Sequence, residues 1–274
     1  MPKVHIDGAD IHYEVHGSGS PVMLVAGLGG AGSYWQPQLA ELGRRFTVIV
    51  HDHRGTGAST HQKMTYSVER MAADTLGVMD ALGIESAHLV GHSTGGAIGQ
   101  ILGIENPERL RSMIIYASWT KADEFFRRVF ELRKATVLDH GALAYMRATP
   151  VFLHPDWWIN ANAEKLAAAE AQGLATFPPA EIVASRIDAI VAFDRTAQLG
   201  KIRTPTLVFC AADDRLTPLY FSQELAARIP GARLAVAEKG GHAHSQTMPE
   251  EFNRLAIAYI AEQEARRTSL GAKP

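Results

Sequence analysis

Short apolar runs alternate with stretches of helical period along most of this chain, and the alternation predicts its architecture. A hairpin is expected over about 3–15, where polar and apolar residues take turns from Val4 onward. Strands follow at 21–26, 46–51, 86–91, 110–117, 205–212 and 232–237. Helices are expected near 33–44, 67–82, 94–105, 218–229 and 249–265. Several of the strand segments are short apolar runs, as in Val22-Met23-Leu24-Val25-Ala26. Such runs suit strands buried on both faces of a sheet. Strand–helix alternation of this kind implies an α/β fold with a mostly parallel central sheet flanked by helices. The tail from Arg266 to Pro274 is polar and is expected to fray.

The alternation breaks after the sixth strand. Residues 119–200 carry helical patterns from Asp123 to Leu138 and from Asn162 to Gln172, around a turn-rich middle at Thr149–Trp158. A helical insertion over the C-terminal rim of a sheet predicts a cap that closes a site and excludes water. The expected division is a core of 1–118 and 201–274 with a helical cap of 119–200. Trp119, Tyr145, Phe152, Trp157 and Trp158 could line a pocket beneath it, although aromatics at such spacing equally serve a cap's own core. Arg127, Arg128, Arg133 and Arg147 lie in the same region, with Arg127 taken as the pocket residue. A basic group facing the pocket would favour a carboxylate-bearing substrate, whereas most such arginines are solvated.

Composition narrows the function classes. A chain of 274 residues is long enough for a large core, and its net charge of −2 advertises neither nucleic acid nor an anionic membrane as partner. No apolar run approaches the roughly 20 residues of a membrane span. Met1–Asp7 lacks the apolar core of a signal peptide, so a cytoplasmic location is expected. The single cysteine, Cys210, sits in an apolar strand, which leaves disulfides out and suggests a core role. His51 and His53 alternate at a strand end, but no Cys/His cluster has metal-site spacing. Neither metal nor cofactor is implied, and a homodimer is compatible with all of this.

The chemistry concentrates in four loops. Gly91-His92-Ser93-Thr94-Gly95 joins a strand to a helix, the context of a nucleophile elbow. A Cβ at 91 or 95 would meet neighbouring backbone in so tight a turn. The turn would raise the Ser93 hydroxyl clear of the sheet and aim the Thr94 N–H, at the positive end of the helix, toward a developing oxyanion. A second N–H donor is expected from the loop Gly27–Gly30 after an early strand. A carboxylate, Asp213 or Asp214, ends the strand at 205–212, on the rim where such sheets place their chemistry. A flexible Gly240-Gly241 pair then offers His242 or, two residues on, His244. A serine, an acid and a histidine in that order predict nucleophilic acyl transfer with histidine as general base.

Taken together, these motifs and the insertion resemble the α/β-hydrolase superfamily over nearly the whole chain. The resemblance implies Asp214 as the acid, through the D-x-[apolar]-x-P turn ending at Pro218, with Asp213 shaping that turn. It implies His242 as the base and leaves His244 a solvated loop residue. It also implies the Leu28 N–H as partner of Thr94, by likeness to an H-G-x segment in which Ala26 replaces histidine. The run Asp52-His53-Arg54-Gly55-Thr56-Gly57 is similar to a structural D-x-R-G-x-G turn. Within the superfamily, Gly27–Leu39, Pro150–Trp157 and Gly240–Ala243 are most similar to the aminoacrylate hydrolases of pyrimidine utilisation, and next to enol-lactone hydrolases. That likeness implies a small ester, lactone, amide or enamine-like acid as substrate. Other proteins of the fold are perhydrolases, lyases, cofactor-free oxygenases or ligand-binding receptors, and these remain the alternative.

Overall fold

The computed structural model describes residues 2–271. A hairpin of β1 (Lys3–Ile6) and β2 (Ala9–His16) leads into β3 (Ser20–Val25), α1 (Gln36–Gly43), β4 (Phe46–His51), α2 (Val68–Ala81), β5 (Ala87–His92), α3 (Thr94–Glu105) and β6 (Leu110–Tyr116). Four helices follow before the sheet resumes: α4 (Glu124–Leu153), α5 (Asp156–Ala161), α6 (Ala163–Leu174) and α7 (Ala180–Ala192). The chain closes with β7 (Thr206–Ala211), α8 (Leu219–Arg228), β8 (Arg233–Ala237), the short α9 (His244–Thr247) and α10 (Pro249–Gly271).

The eight strands form one sheet in the order β1-β2-β4-β3-β5-β6-β7-β8. β1, β2 and β4 pair antiparallel, and every other pair is parallel. The α/β architecture expected from the alternation is therefore present. The apolar runs divide by period two, as a doubly covered sheet requires. Met23, Val25, Leu89, Met113, Ile115 and Val208 pack on the side of α2, α3 and α8. Val22, Leu24, Val90, Ile114, Tyr116 and Phe209 pack on the side of α1 and α10. Cys210 is fully buried, and burial pushes its thiol up to about 11.

Within the insertion, α4 begins at an Asp123 cap whose carboxylate accepts the Phe126 N–H at 2.8 Å. It is broken at Gly141, where φ of 79° and ψ of −177° belong to backbone that only glycine adopts readily. The second half runs to Leu153, so Thr149–Leu153 is helix where a turn was expected. Pro150 does not end it, because its fixed φ is helical and only one N–H is lost. At the C-terminus, Arg266–Gly271 continues α10, with Arg266 paired to Glu262 at 2.7 Å, contrary to the expected fraying. The remainder of that polar tail, 272–274, lies outside the described residues. Among the described residues no helix is long and apolar enough to cross a membrane.

Candidate active site

The turn from β5 into α3 carries Ser93 at φ 53° and ψ −110°, a strained conformation for a residue with a Cβ. Its surroundings impose it. A Cβ on Gly91 would overlap the Gly95 carbonyl, and one on Gly95 would overlap the Val25 carbonyl. The Ser93 N–H donates to the Tyr116 carbonyl at 2.8 Å, and the Ser118 hydroxyl donates to the Ser93 carbonyl at 2.9 Å. The end of β6 thus pins the peptide on both sides and leaves the Ser93 side chain on a cavity wall.

Asp214 follows β7. Its Oδ1 accepts the N–H groups of Leu216 and Thr217 at 2.8 and 2.9 Å, and its Oδ2 accepts the Thr217 hydroxyl at 2.8 Å. The same Oδ2 lies 2.9 Å from His242 Nδ1, with both side chains almost fully buried. Nδ1–H is thereby fixed as the donor, which leaves Nε2 as the ring nitrogen without the proton. His242 and Ser93 line the same cavity of about 330 Å³, at the small end of ligand sites.

Asp213 does different work. It accepts the Gly240 and Gly241 N–H groups at 3.1 and 2.8 Å, so it shapes the loop that presents His242. The insertion grips that loop as well, through the Ala243 N–H donating to the Leu153 carbonyl at 2.9 Å. The His242 carbonyl accepts the Tyr116 hydroxyl at 2.8 Å and His92 Nε2 at 3.1 Å. Burial first, and then the nearby His242, hold His92 neutral far below the ordinary histidine range. Tyr34 stacks on it at 4.6 Å.

Leu28 also lines the cavity, in the loop after β3. Among the described residues neither the Leu28 nor the Thr94 N–H donates to a protein acceptor. The loop is braced by a residue that the sequence reading passed over. Arg186 of α7, almost fully buried, donates to the carbonyls of Leu28 at 2.9 Å and Arg54 at 2.8 Å, and to His53 Nδ1 at 3.1 Å. Desolvation lowers its guanidinium to about 10, which still leaves it charged at neutral pH. A signal was available: Ile182, Val183, Ile187 and Ile190 form the buried stripe of α7, and Arg186 falls within it. The Asp52–Gly57 turn is structural as expected. Asp52 accepts the Gly32 and Ala58 N–H groups at 2.7 and 2.8 Å, and Arg54 pairs with Asp74.

The other expected residues are placed unevenly. Tyr145 lines the cavity, and Phe152 is half-buried just behind Arg133. Trp119 is fully buried against Phe126 and Phe193 and does not line the cavity. Arg127 and Trp157 are exposed, and Trp157 sits beside Lys239. Arg133 is the arginine that reaches the cavity, because Phe126, Phe130, Arg133 and Val137 share the buried face of α4 while Arg127 and Arg128 point away. His244, expected in solvent, is fully buried against Phe209, and burial lowers its pKa. Among the described residues no group of three His, Cys, Asp or Glu side chains could hold a metal ion.

A family model described as the alpha/beta hydrolase fold matches residues 20–244. A protein of Azorhizobium caulinodans provisionally named carbamate hydrolase RutD is 44% identical over 262 residues, spanning 96% of this chain and 99% of that protein. Its namesake from Caulobacter vibrioides is 41% identical over 260 residues, spanning 93% and 96%. Among solved structures, the enol-lactonase from Burkholderia xenovorans LB400 superimposes with a TM-score of 0.88 at 25% identity, covering 95% of this chain and 100% of that one.

Proposed function

The chain belongs to the α/β-hydrolase family, and from that membership and the site's geometry we propose that it hydrolyses a small acyl compound through Ser93. The observation that carries this reading is the buried Asp214–His242 pair facing the same cavity as a serine held at positive φ. Ser93 Oγ attacks the acyl carbon while His242 Nε2 takes its proton. Asp214 fixes the tautomer and stabilises the imidazolium. The negative oxygen of the tetrahedral intermediate is met by the N–H groups of Leu28 and Thr94, both free of other acceptors and one at a helix N-terminus. His242 then protonates the leaving group, and water activated by the same ring releases the acid from the acyl-enzyme.

The helices between β6 and β7 act as a cap over this site, with α4 supplying Phe130, Arg133, Tyr145, Thr149 and Leu153 to the cavity wall. The small cavity supports a short acyl group in an ester, lactone, amide or enamine-like acid. An activated phenyl ester should give a burst of about one product per chain followed by a slower steady rate, both lost in Ser93→Ala. Turnover that persists in Ser93→Ala overturns the reading. A folded protein inert toward esters, lactones and amides alike would favour a binding role instead.

A further inference from the structure

The cavity contains a charge that acyl transfer does not use. Arg133 is 5% exposed and lines the same cavity as Ser93 and His242. A buried guanidinium is costly unless a carboxylate or a full set of acceptors compensates it. Arg133 has neither. Its Nη2 donates to the Tyr145 hydroxyl at 2.9 Å and, at the limit, to Thr149 Oγ1 at 3.5 Å. Nε is buried without a partner. Among the described residues Arg133 makes no other side-chain hydrogen bond and no ion pair, and no Asp or Glu lines the cavity. The rings of Phe130, Tyr145 and Phe152 lie 5.3, 5.2 and 5.5 Å from its Cζ. Those rings steady the cation, but they supply no counter-charge.

We propose that Arg133 anchors a carboxylate carried by the substrate, at the end remote from the acyl carbon that Ser93 attacks. The identity of this ligand as substrate rests on the hydrolase reading above. One guanidinium, with no second Lys or Arg among the described residues of the cavity wall, matches the single charge of a carboxylate. Binding would complete an ion pair that the protein leaves half-built, in a cavity where solvent screens little. A neutral analogue would leave that pair incomplete, so the residue selects as well as binds.

The test compares two esters with the same scissile bond, a half-ester bearing a free carboxylate and its diester. Wild type should prefer the half-ester in kcat/KM. Arg133→Gln should lower the half-ester to diester ratio by about ten- to a hundred-fold, mostly through KM. Arg133→Lys, which keeps the charge and loses the planar fork, should fall between. A ratio that stays at its wild-type value in both variants overturns the proposal.

Unmodified protein gives an independent reading should the variants not fold. A short-chain monocarboxylate should compete with the neutral ester far better than its primary amide, and equal competition overturns the proposal. If wild type hydrolyses neither ester, the hydrolase reading fails by itself. Calorimetric titration with the same monocarboxylate and amide then decides Arg133. Carboxylate binding that is weakened in Arg133→Gln supports the anchor, and binding indifferent to the variant removes it.

Discussion

Asp213 and Asp214 are adjacent carboxylates with separate tasks, and the separation can be measured. Asp214 faces His242 Nδ1, and an amide there would favour the wrong tautomer. Asp214→Asn should reduce kcat by about 10³- to 10⁴-fold with little loss of fold. Asp213→Asn keeps one acceptor oxygen for the Gly240 and Gly241 N–H groups and should cost about ten-fold or less. Steady-state rates for the two variants side by side decide the assignment, and a greater loss in Asp213→Asn would reverse it. At this scale the layout of the candidate site was legible, since Ser93, Asp214 and His242 stand in motifs whose spacing implies the strand-to-loop positions they occupy. Arg133 was one of four arginines named, with Arg127 preferred, and Arg186 was not named, because a charged residue on an apolar stripe resembles a solvated one until its helix face is fixed. His244 misled for the converse reason. It follows a flexible glycine pair, yet Ala243 and the short α9 fold it back against Phe209.

Among the elements, the strands were the easiest to read. The central strands β3 to β7 are short, mostly apolar segments buried on both faces, whereas β1 and β2 alternate polar and apolar residues. The insertion was harder. The pattern from Asp123 to Leu138 gave the first half of α4, but Pro150 and the turn formers around it hid the second half. No separate pattern was picked out for the α7 helix, although it joins the insertion to the core through Arg186. That helix carries a prediction of its own. Arg186→Met removes donors from the Leu28 carbonyl and leaves the loop free to shift its N–H. We expect kcat to fall about ten- to a hundred-fold while KM changes only a few-fold, with Arg186→Lys recovering part of the loss. A purely structural role would lower the melting temperature and leave the kcat of the remaining folded protein intact. Stability and kinetics measured on the same samples separate the two.

For the whole molecule, four histidines that are held neutral by burial or partial burial should weaken stability in acid. Burial lowers His51 and His154 to about 4, and holds His53 and His92 well below the ordinary value. Above about pH 6.5 these groups are neutral in both folded and unfolded chains, so their neutrality costs nothing. Between about 6.5 and 4 the unfolded chain takes up protons that the folded one refuses, and stability falls with pH. The melting temperature should be level from pH 8 to 7 and decline steadily from 6.5 to 4.5. A melting temperature that holds or rises over that range would contradict the assignment of these residues as buried and neutral.

The central claim is covalent chemistry at Ser93, and intact-protein mass measured after a rapid acid quench tests it most directly. Mixed with an activated short-chain ester, wild type should gain the mass of one acyl group, located by peptide mapping to Ser93. His242→Ala should acylate far more slowly, and Ser93→Ala should gain nothing. Ester turnover with no acyl adduct on Ser93, or an adduct that forms equally in Ser93→Ala, would contradict the account.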